Sequence, residues 1–385
     1  MVSFRRVISS YKKDQQMERP VFQPVGTPVE ELDTPALVVD LDVMSGNIET
    51  LHSYFRRAEA KVRPHVSCHQ CPNIARLQLA AGGTVGGIAV TTVGEAEVFS
   101  NAGFSDILVT NQIVTRPKVR RLCALARLDR ITVAVDNPQN VAVLSEMARD
   151  TGVTLHVLVE LDAGLGRCGV APGVEAVELS RVAAHSPGLQ FDGLMAYEGT
   201  LLYPDRQALE SETRRRLQPV LDTRERIERE GLPVAVVSVG GTHNYDIAGA
   251  MTGVTEVQAG SYPLMDYNYC QYRTEFTPAA KVLAGVISHP IETRAVVDAG
   301  HKAIGPDRGT PVLEGIAGAA AVRFSAEHGV LDLEGPALRQ LMPKEKVWLA
   351  PFDLALCVNQ YDYIRAVRDG RLEGFWPIAA RGRFD

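Results

Sequence analysis

Short apolar runs rich in β-branched residues recur along the chain, each followed by a longer amphipathic stretch. The first is Ala36–Leu41, just after Thr34-Pro35, and Asp42 stands where it can cap a helix running to about Phe55. Comparable runs follow at Val62–Val66, Gly87–Thr92, Ile107–Asn111, Ile131–Asp136, Leu155–Leu161, Leu189–Tyr197, Val234–Val239 and Thr255–Ser261. Strands alternating with helical stretches imply parallel βαβ units, and eight such units in about 200–250 residues fit a closed barrel better than an open sheet. Beyond residue 275 the rhythm changes to strand-like segments at Ala280–Ile287, Thr293–Val297, Ala321–Arg323 and Lys346–Leu349, without long helices between them. The expected architecture is an α/β fold, an eight-stranded β/α (TIM-like) barrel over 58–272 plus a smaller β domain over 273–385. A surface tail over 1–29 precedes a strand and helix over 30–57, and that strand is expected to join the β domain.

A formal charge of −6 and a pI near 5.9 argue against a nucleic-acid or anionic-membrane partner, which would normally show as a basic patch or stripe. The longest apolar runs fall short of the ~18 residues of a membrane span, and the start lacks the apolar core of a secretory signal. A cytoplasmic protein acting on a small molecule is expected. Its six cysteines are irregularly spaced, so free thiols are the expectation.

In a β/α barrel the chemistry gathers just past the C-terminal ends of the strands. Those positions hold His65, Ser67 and His69 after the first barrel strand, Thr91 and Thr92 after the second, and Asn111 and Asp136 after the third and fourth. Glu160, Asp162 and Arg167 follow the fifth, and Tyr197 and Glu198 the sixth. Gly240, Gly241 and Thr242 follow the seventh strand, and Gly260, Ser261 and Tyr262 the eighth, where exposed backbone N–H groups commonly bind phosphate. Glycines also make ordinary tight turns, but two such turns at these two strands favour a phosphorylated ligand. Arg167 suits an anion or a heteroaromatic nitrogen, and equally suits bracing its loop. Tyr197 suits a planar ligand or simple packing.

Several stretches together resemble the D-threonine aldolase and D-serine dehydratase-like branch of the alanine racemase family, the fold-type III pyridoxal phosphate enzymes. They are Asp33-Thr-Pro-Ala-Leu-Val-Val-Asp-Leu-Asp42, Arg63-Pro-His65, Thr92-Val-Gly-Glu-Ala-Glu97, Gly166-Arg-Cys-Gly169, Tyr197-Glu-Gly199, Gly240-Gly-Thr242, Gln258-Ala-Gly-Ser-Tyr262, Asp298-Ala-Gly300 and Trp376-Pro-Ile-Ala-Ala-Arg-Gly382. The resemblance implies that Gly240, Gly241, Thr242, Gly260, Ser261 and Tyr262 hold the cofactor phosphate, with Arg167 and Tyr197 near its ring. It also implies a homodimer. The reactive part departs from the family, which reads Arg-Pro-His-x-Lys-x-His-Lys where this chain reads Arg63-Pro-His-Val-Ser-Cys-His-Gln70. Ser67 stands at the position of the Schiff-base lysine, and a hydroxyl cannot form an imine. Lys61 and Lys302 are too far along the chain to replace it without rearrangement. The family's Pro-x-His-x-(Asp or Cys) metal segment reads Pro351-Phe-Asp-Leu-Ala355, leaving Asp353 alone, so no metal is expected there.

Three readings follow. In the leading one the chain is a diverged aldolase or lyase acting on a small amino acid or an amino-acid-derived substrate, with pyridoxal phosphate held non-covalently. His65, Ser67, His69 and Glu198 are then the catalytic candidates. In the second, the cavity works without cofactor as a hydrolytic or isomerising site, although Cys68 and His69, adjacent on an extended strand, would face apart. In the third, the chain binds pyridoxal phosphate or another phosphate ligand without catalysis. Cys68 and Cys71 have Cys-x-x-Cys spacing, but no second pair completes a metal or redox site.

Overall fold

The computed structural model describes residues 23–385, so most of the expected N-terminal tail lies outside the described residues. Eight parallel strands form the first sheet: β2 (Lys61–Val62), β3 (Ile88–Val90), β4 (Asp106–Gln112), β5 (Arg130–Val135), β6 (Leu155–Leu161), β7 (Leu189–Ala196), β8 (Val236–Val239) and β9 (Glu256–Val257). Their spatial order is β2-β9-β8-β7-β6-β5-β4-β3. Single bridges from Val62 to Thr84 and from His65 to Ala89 join the two ends, which closes the barrel. The eight expected runs are these eight strands. The first and last shrink to two residues because the chain turns out of the ladder early, at Arg63–Cys68 and Gln258–Ser261, to build the barrel mouth.

Strand alternation explains the packing. Ile88 and Val90, Ile107 and Val109, Val133 and Val135, and Val157 and Val159 face the surrounding helices in the main core. Ala89, Leu108, Ala134, Leu158 and Met195 form a separate cluster inside the barrel. Polar pairs complete the plug. Arg63 donates from Nε to Glu256 Oε1 (2.8 Å) and from Nη1 to Asp106 Oδ1 (2.9 Å), and Arg130 and His156 both meet Asp192.

A second, mixed sheet follows the order β13-β14-β11-β10-β1-β16-β17, with β15 pairing β10 and β12. Its strands are β1 (Ala36–Asp40), β10 (Ala280–Ile291), β11 (Arg294–Val297), β12 (Val312–Glu314), β13 (Ala319–Phe324), β14 (Gly329–Leu333), β15 (Lys346–Ala350), β16 (Tyr363–Arg368) and β17 (Arg371–Pro377). β1 runs antiparallel to β10 and parallel to β16. Four strands had no forecast from sequence: β12, β14, β16 and β17. All four bear charged residues among their apolar ones, so none shows as a continuous apolar run.

One cap differs from expectation. The helix Leu41–Arg57 is capped by Asp40, whose carboxylate accepts the N–H groups of Asp42 and Val43 at 3.0 Å each. Asp40 keeps the extended backbone an N-cap needs, whereas Asp42 already lies in the first helical turn, where its charge faces the positive end of the helix dipole. No helix among the described residues is long and apolar enough to cross a membrane.

Candidate active site

The barrel mouth and the β domain enclose a cavity of about 480 Å³. From the barrel side it is lined by His65, Ser67, Cys68, Thr110, Asn111, Arg167, Tyr197, Gly240, Gly241, Thr242, Gly260 and Ser261, and from the other side by Asp266, Asn268, Tyr269, Arg308, Phe352, Asp353 and Ala355. Of the catalytic and cofactor candidates His69, Glu198 and Tyr262 are fully buried and do not line it, and of the other strand-end residues Thr92, Asp136, Glu160 and Asp162 do not line it either.

The phosphate turns are constructed from behind. Glu198 accepts from the side chain of Asn244 and from Gly240 N–H (3.3 Å), and Asn244 Oδ1 accepts from Gly241 N–H (3.0 Å). The buried carboxylate thus shapes the Gly240–Asn244 turn instead of facing a ligand. Thr242 Oγ1 accepts the N–H groups of Ser261 (3.1 Å) and Tyr262 (3.3 Å), which ties the two turns together. Gly260 must lack a side chain, because a Cβ would lie 2.6 Å from the carbonyl oxygen of His65. Among the described residues no acceptor takes the N–H of Thr242 or of Gly260. Free N–H groups with the Thr242 and Ser261 hydroxyls make a neutral, donor-rich recess suited to a phosphate.

The segment after β2 is a 3-10 turn, Val66–Cys68, and not the extended strand expected there. It turns Ser67 and Cys68 into the cavity and His69 away from it. Ser67 Oγ lies 2.8 Å from His65 Nδ1, and His65 Nε2 lies 3.4 Å from Thr110 Oγ1, whose own proton goes to the Val90 carbonyl (3.1 Å). Thr110 therefore accepts from Nε2–H, leaving Nδ1 as the lone pair that receives the Ser67 proton. Burial, with the Arg167 charge adding to it, pushes His65 down to about 4, so the ring is neutral. Burial pushes the Cys68 thiol up to about 12 and that of Cys71 to about 11, which leaves both as thiols.

His69 belongs to a buried chain of directed hydrogen bonds. Cys71 N–H donates to its Nδ1 (3.1 Å), and Nε2–H donates to Gln78 Oε1 (3.0 Å). Gln78 Nε2 donates to the Tyr262 hydroxyl (2.9 Å), which donates to His52 Nε2 (2.7 Å), while His52 Nδ1–H reaches the Gly82 carbonyl (2.6 Å). Both imidazoles are held neutral: burial pushes His69 down to about 4 and lowers His52. This chain pins the loop bearing Ser67 to the turn bearing Ser261.

Arg167 lies with Cζ 5.5 Å from the centre of the Tyr197 ring. The Tyr197 hydroxyl meets Thr200 Oγ1 at 2.8 Å, and Tyr269 meets the same atom at 3.3 Å. No lysine lines the cavity among the described residues. Lys61 is held by the carbonyls of Phe55 and Ala58, and Lys302 pairs with Glu327 at the surface. Pyridoxal phosphate therefore fits at its phosphate end and lacks an amine for its aldehyde end. Among the described residues no group of three or more His, Cys, Asp or Glu is placed to hold a metal. Asp353 instead caps the helix Leu354–Val358 and pairs with Arg308.

Asp266, Asn268, Tyr269 and Arg308 were not legible as site residues: the first three lie beyond the turn after the last barrel strand, and Arg308 arrives only with the β domain. Burial is the main force on Asp266, raising it to about 6 against the N–H groups of Tyr269 and Leu354. A carboxyl harder to ionise in the fold than in the open chain makes the native state bind more protons, so its contribution weakens the fold as pH rises from about 4 to about 6. The buried histidines have the opposite sign, so the difference between variant and wild type is the informative quantity. Asp266→Asn keeps an acceptor for Tyr269 N–H and is expected to stabilise the protein by about 2 kcal/mol at pH 7 and far less at pH 4. Urea midpoints at the two pH values check this, and an equal difference at both refutes it.

Comparison with known proteins matches residues 39–267 to the alanine racemase N-terminal domain and residues 279–367 to a serine dehydratase domain. The 3-hydroxy-D-aspartate aldolase of Paracoccus denitrificans (strain Pd 1222) is 34% identical over 372 residues, covering 93% of this chain and 94% of that protein. The D-threonine aldolase of an Arthrobacter species is 34% identical over 368 residues, covering 94% of this chain and 96% of that one. Among solved structures, D-threonine aldolase from Filomicrobium marinum superposes with a TM-score of 0.91 at 35% identity, over 94% of this chain and all (100%) of that one.

Proposed function

The chain belongs to the alanine racemase N-terminal domain family, in its aldolase and dehydratase branch, and on that premise we propose that it is a lyase that holds pyridoxal phosphate without a covalent link. The substrate is a small β-hydroxy amino acid or a close derivative, as the names of its relatives suggest. The observation that carries this reading is the pair of unclaimed N–H groups at Thr242 and Gly260 in a cavity without lysine. When bound, pyridoxal phosphate supplies an electron sink for the carbon being cleaved.

The chain's own residues do the rest. Thr242, Gly260 and Ser261 bind the phosphate, and Tyr197 and Arg167 orient the ring. His65, neutral and with Nδ1 directed at Ser67, takes and returns a proton through the Ser67 hydroxyl. The protein is proposed to work in the cytoplasm as a homodimer.

Equilibrium dialysis with pyridoxal phosphate tests the reading. Wild type is expected to bind it reversibly, with no mass added after borohydride, and to turn over a β-hydroxy-D-amino acid. Thr242→Val should weaken binding about tenfold, by loss of one hydroxyl contact to a charged group. Failure of wild type to bind defeats it. The Ser67–His65 contact favours a second, cofactor-free hydrolytic reading, which a serine-directed phosphonate probe would reveal by labelling Ser67.

A further inference from the structure

Two stretches that carry the family resemblance have no part in the cavity chemistry: Thr92-Val-Gly-Glu-Ala-Glu97 and Trp376-Pro-Ile-Ala-Ala-Arg-Gly382. They are far apart in sequence and meet in the fold. After β17 the chain buries Ile378 and Ala380 and crosses onto the barrel. There Thr92 Oγ1 donates to the Arg383 carbonyl (2.6 Å) and Gly94 N–H to the backbone oxygen of Asp385 (2.6 Å), both at the first turn of the helix Val93–Asn101. Arg121 holds the Asp385 carboxylate from Nη1 (3.0 Å) while its Nε and Nη2 grip Glu97 (2.7 and 2.8 Å). Gly94 is demanded by this close approach, because a Cβ there would lie 2.9 Å from Asp385 Oδ1, 3.0 Å from its backbone oxygen and 3.2 Å from Arg383 Cβ.

The crossing segment is also fastened to the β domain, through Ile378 N–H to the Asp362 carbonyl (2.9 Å), Gly382 N–H to Asn359 Oδ1 (3.0 Å) and Arg381 to the Asp362 carboxylate (2.6 Å). Between these two anchorages it reaches the cavity wall, where Ala380 N–H donates to the Gln70 carbonyl (3.1 Å). Gln70 ends the turn that carries Ser67 and Cys68. Its own N–H returns to the Val66 carbonyl (2.8 Å), and its backbone lies in the left-handed region at φ +53°, which a non-glycine residue keeps only where its surroundings fix it. Gln70 Nε2 reaches Glu95 Oε1 (3.4 Å), and Glu95 Oε2 takes the N–H and the hydroxyl of Thr91 (2.7 Å each), a residue of the cavity lining.

We propose that residues 378–385 are a positioning element of the site: docked on the helix Val93–Asn101, they fix the turn over residues 66–70 and with it the place of Ser67 beside His65. The Thr242–Ser261 recess is built from other strands, so the segment acts on the reacting end of the cavity more than on its phosphate end. Its effect on turnover rests on the lyase reading of the cavity, whereas its effect on the turn does not.

Hydrogen exchange of the full chain, read by mass spectrometry, tests this in Gly94→Leu, which suits a helix and obstructs the segment, and in Arg121→Met, which removes its ionic hold. In Gly94→Leu exchange is expected to rise about tenfold in peptides covering 378–385 and 66–72, as loss of one backbone hydrogen bond gives, with residues 280–291 unchanged. Arg121→Met should raise the same two regions less, since that pair is partly screened. A rise at 378–385 without one at 66–72, an equal rise everywhere in both variants, or no rise in Gly94→Leu overturns the proposal. Gly94→Leu should also lower turnover of a β-hydroxy-D-amino acid about tenfold while changing pyridoxal phosphate affinity less than about twofold. Equal losses in the two overturn the assignment to the reacting end. If wild type binds no pyridoxal phosphate, the lyase reading falls and the exchange pattern alone decides the role of the segment.

Discussion

Ser67→Lys is expected to change the protein from one that releases pyridoxal phosphate on dialysis to one that retains it mole for mole after borohydride reduction. Ser67 already faces the cavity at the mouth of β2, with its hydroxyl 2.8 Å from His65 Nδ1, so the substituted amine would lie beside a neutral imidazole and not a cation. The half-buried position and the Arg167 charge felt at the neighbouring His65 both depress an ammonium's pKa, which leaves a fraction of free amine able to react. Electrospray mass measurement after reduction reads the outcome, and peptide mapping places it. A variant that binds pyridoxal phosphate but gains no mass would mean that the Val66–Cys68 turn does not present position 67 to the cofactor. The result bears on history as well as mechanism, because a single gain of linkage would show that the surrounding scaffold has been kept.

Removing the guanidinium beneath the site should have the largest effect on stability. Arg63→Met is expected to cost about 3–5 kcal/mol, because it leaves a buried carboxylate without its partner. The side chain of Glu256 is 3% exposed and that of Arg63 is 9% exposed. Asp106, at 26%, retains only a 4.0 Å approach from Arg130. The double variant Arg63→Met/Glu256→Leu should recover much of the loss, since an apolar pair of similar volume often replaces a buried ion pair at little cost. Chemical denaturation of the three proteins decides it. If the single variant loses less than about 1 kcal/mol, the pair is solvated in solution and the barrel plug is looser than its geometry indicates.

The same residue shows what could be read from the chain alone. Arg63-Pro-His65 stood out as a family signature, yet its sequence does not say that the arginine points down into the barrel while the histidine points up into the cavity. The two residues, two apart on the strand, share its inward face, and their heights along the barrel separate them: Arg63 meets Glu256 and Asp106 at the strand starts, and His65 meets Thr110 at the mouth, which is visible only once β2 and β9 are paired. The barrel itself was legible because eight apolar runs at regular spacing have few other solutions. The β domain was half legible, since β14, β16 and β17 interleave charged residues with their apolar ones. Glu198, His69 and Tyr262 looked like site residues by their distance from strand ends. The structure turns each behind the cavity wall, where one shapes a turn and the other two share a hydrogen-bonded chain. Arg308 carried no signal because it arrives only with the β domain, and Asp266 because it lies beyond the turn after the last barrel strand.

The seam of the barrel gives the cavity a second meaning. His65 N–H bonds the Ala259 carbonyl (2.9 Å) and Ala89 N–H bonds the Pro64 carbonyl (2.8 Å), so the strip carrying His65 is stitched on one side to the end of the barrel and on the other to its beginning. Pairings between such distant parts of a chain form late in folding, because the intervening loop loses entropy before the contact is made. A ligand touching both Ser67 and the Thr242–Ser261 recess therefore recognises only molecules whose barrel has shut. Its presence also draws incompletely closed chains toward the native state in proportion to RT ln(1 + [L]/Kd), so occupancy of the cavity acts on the whole barrel.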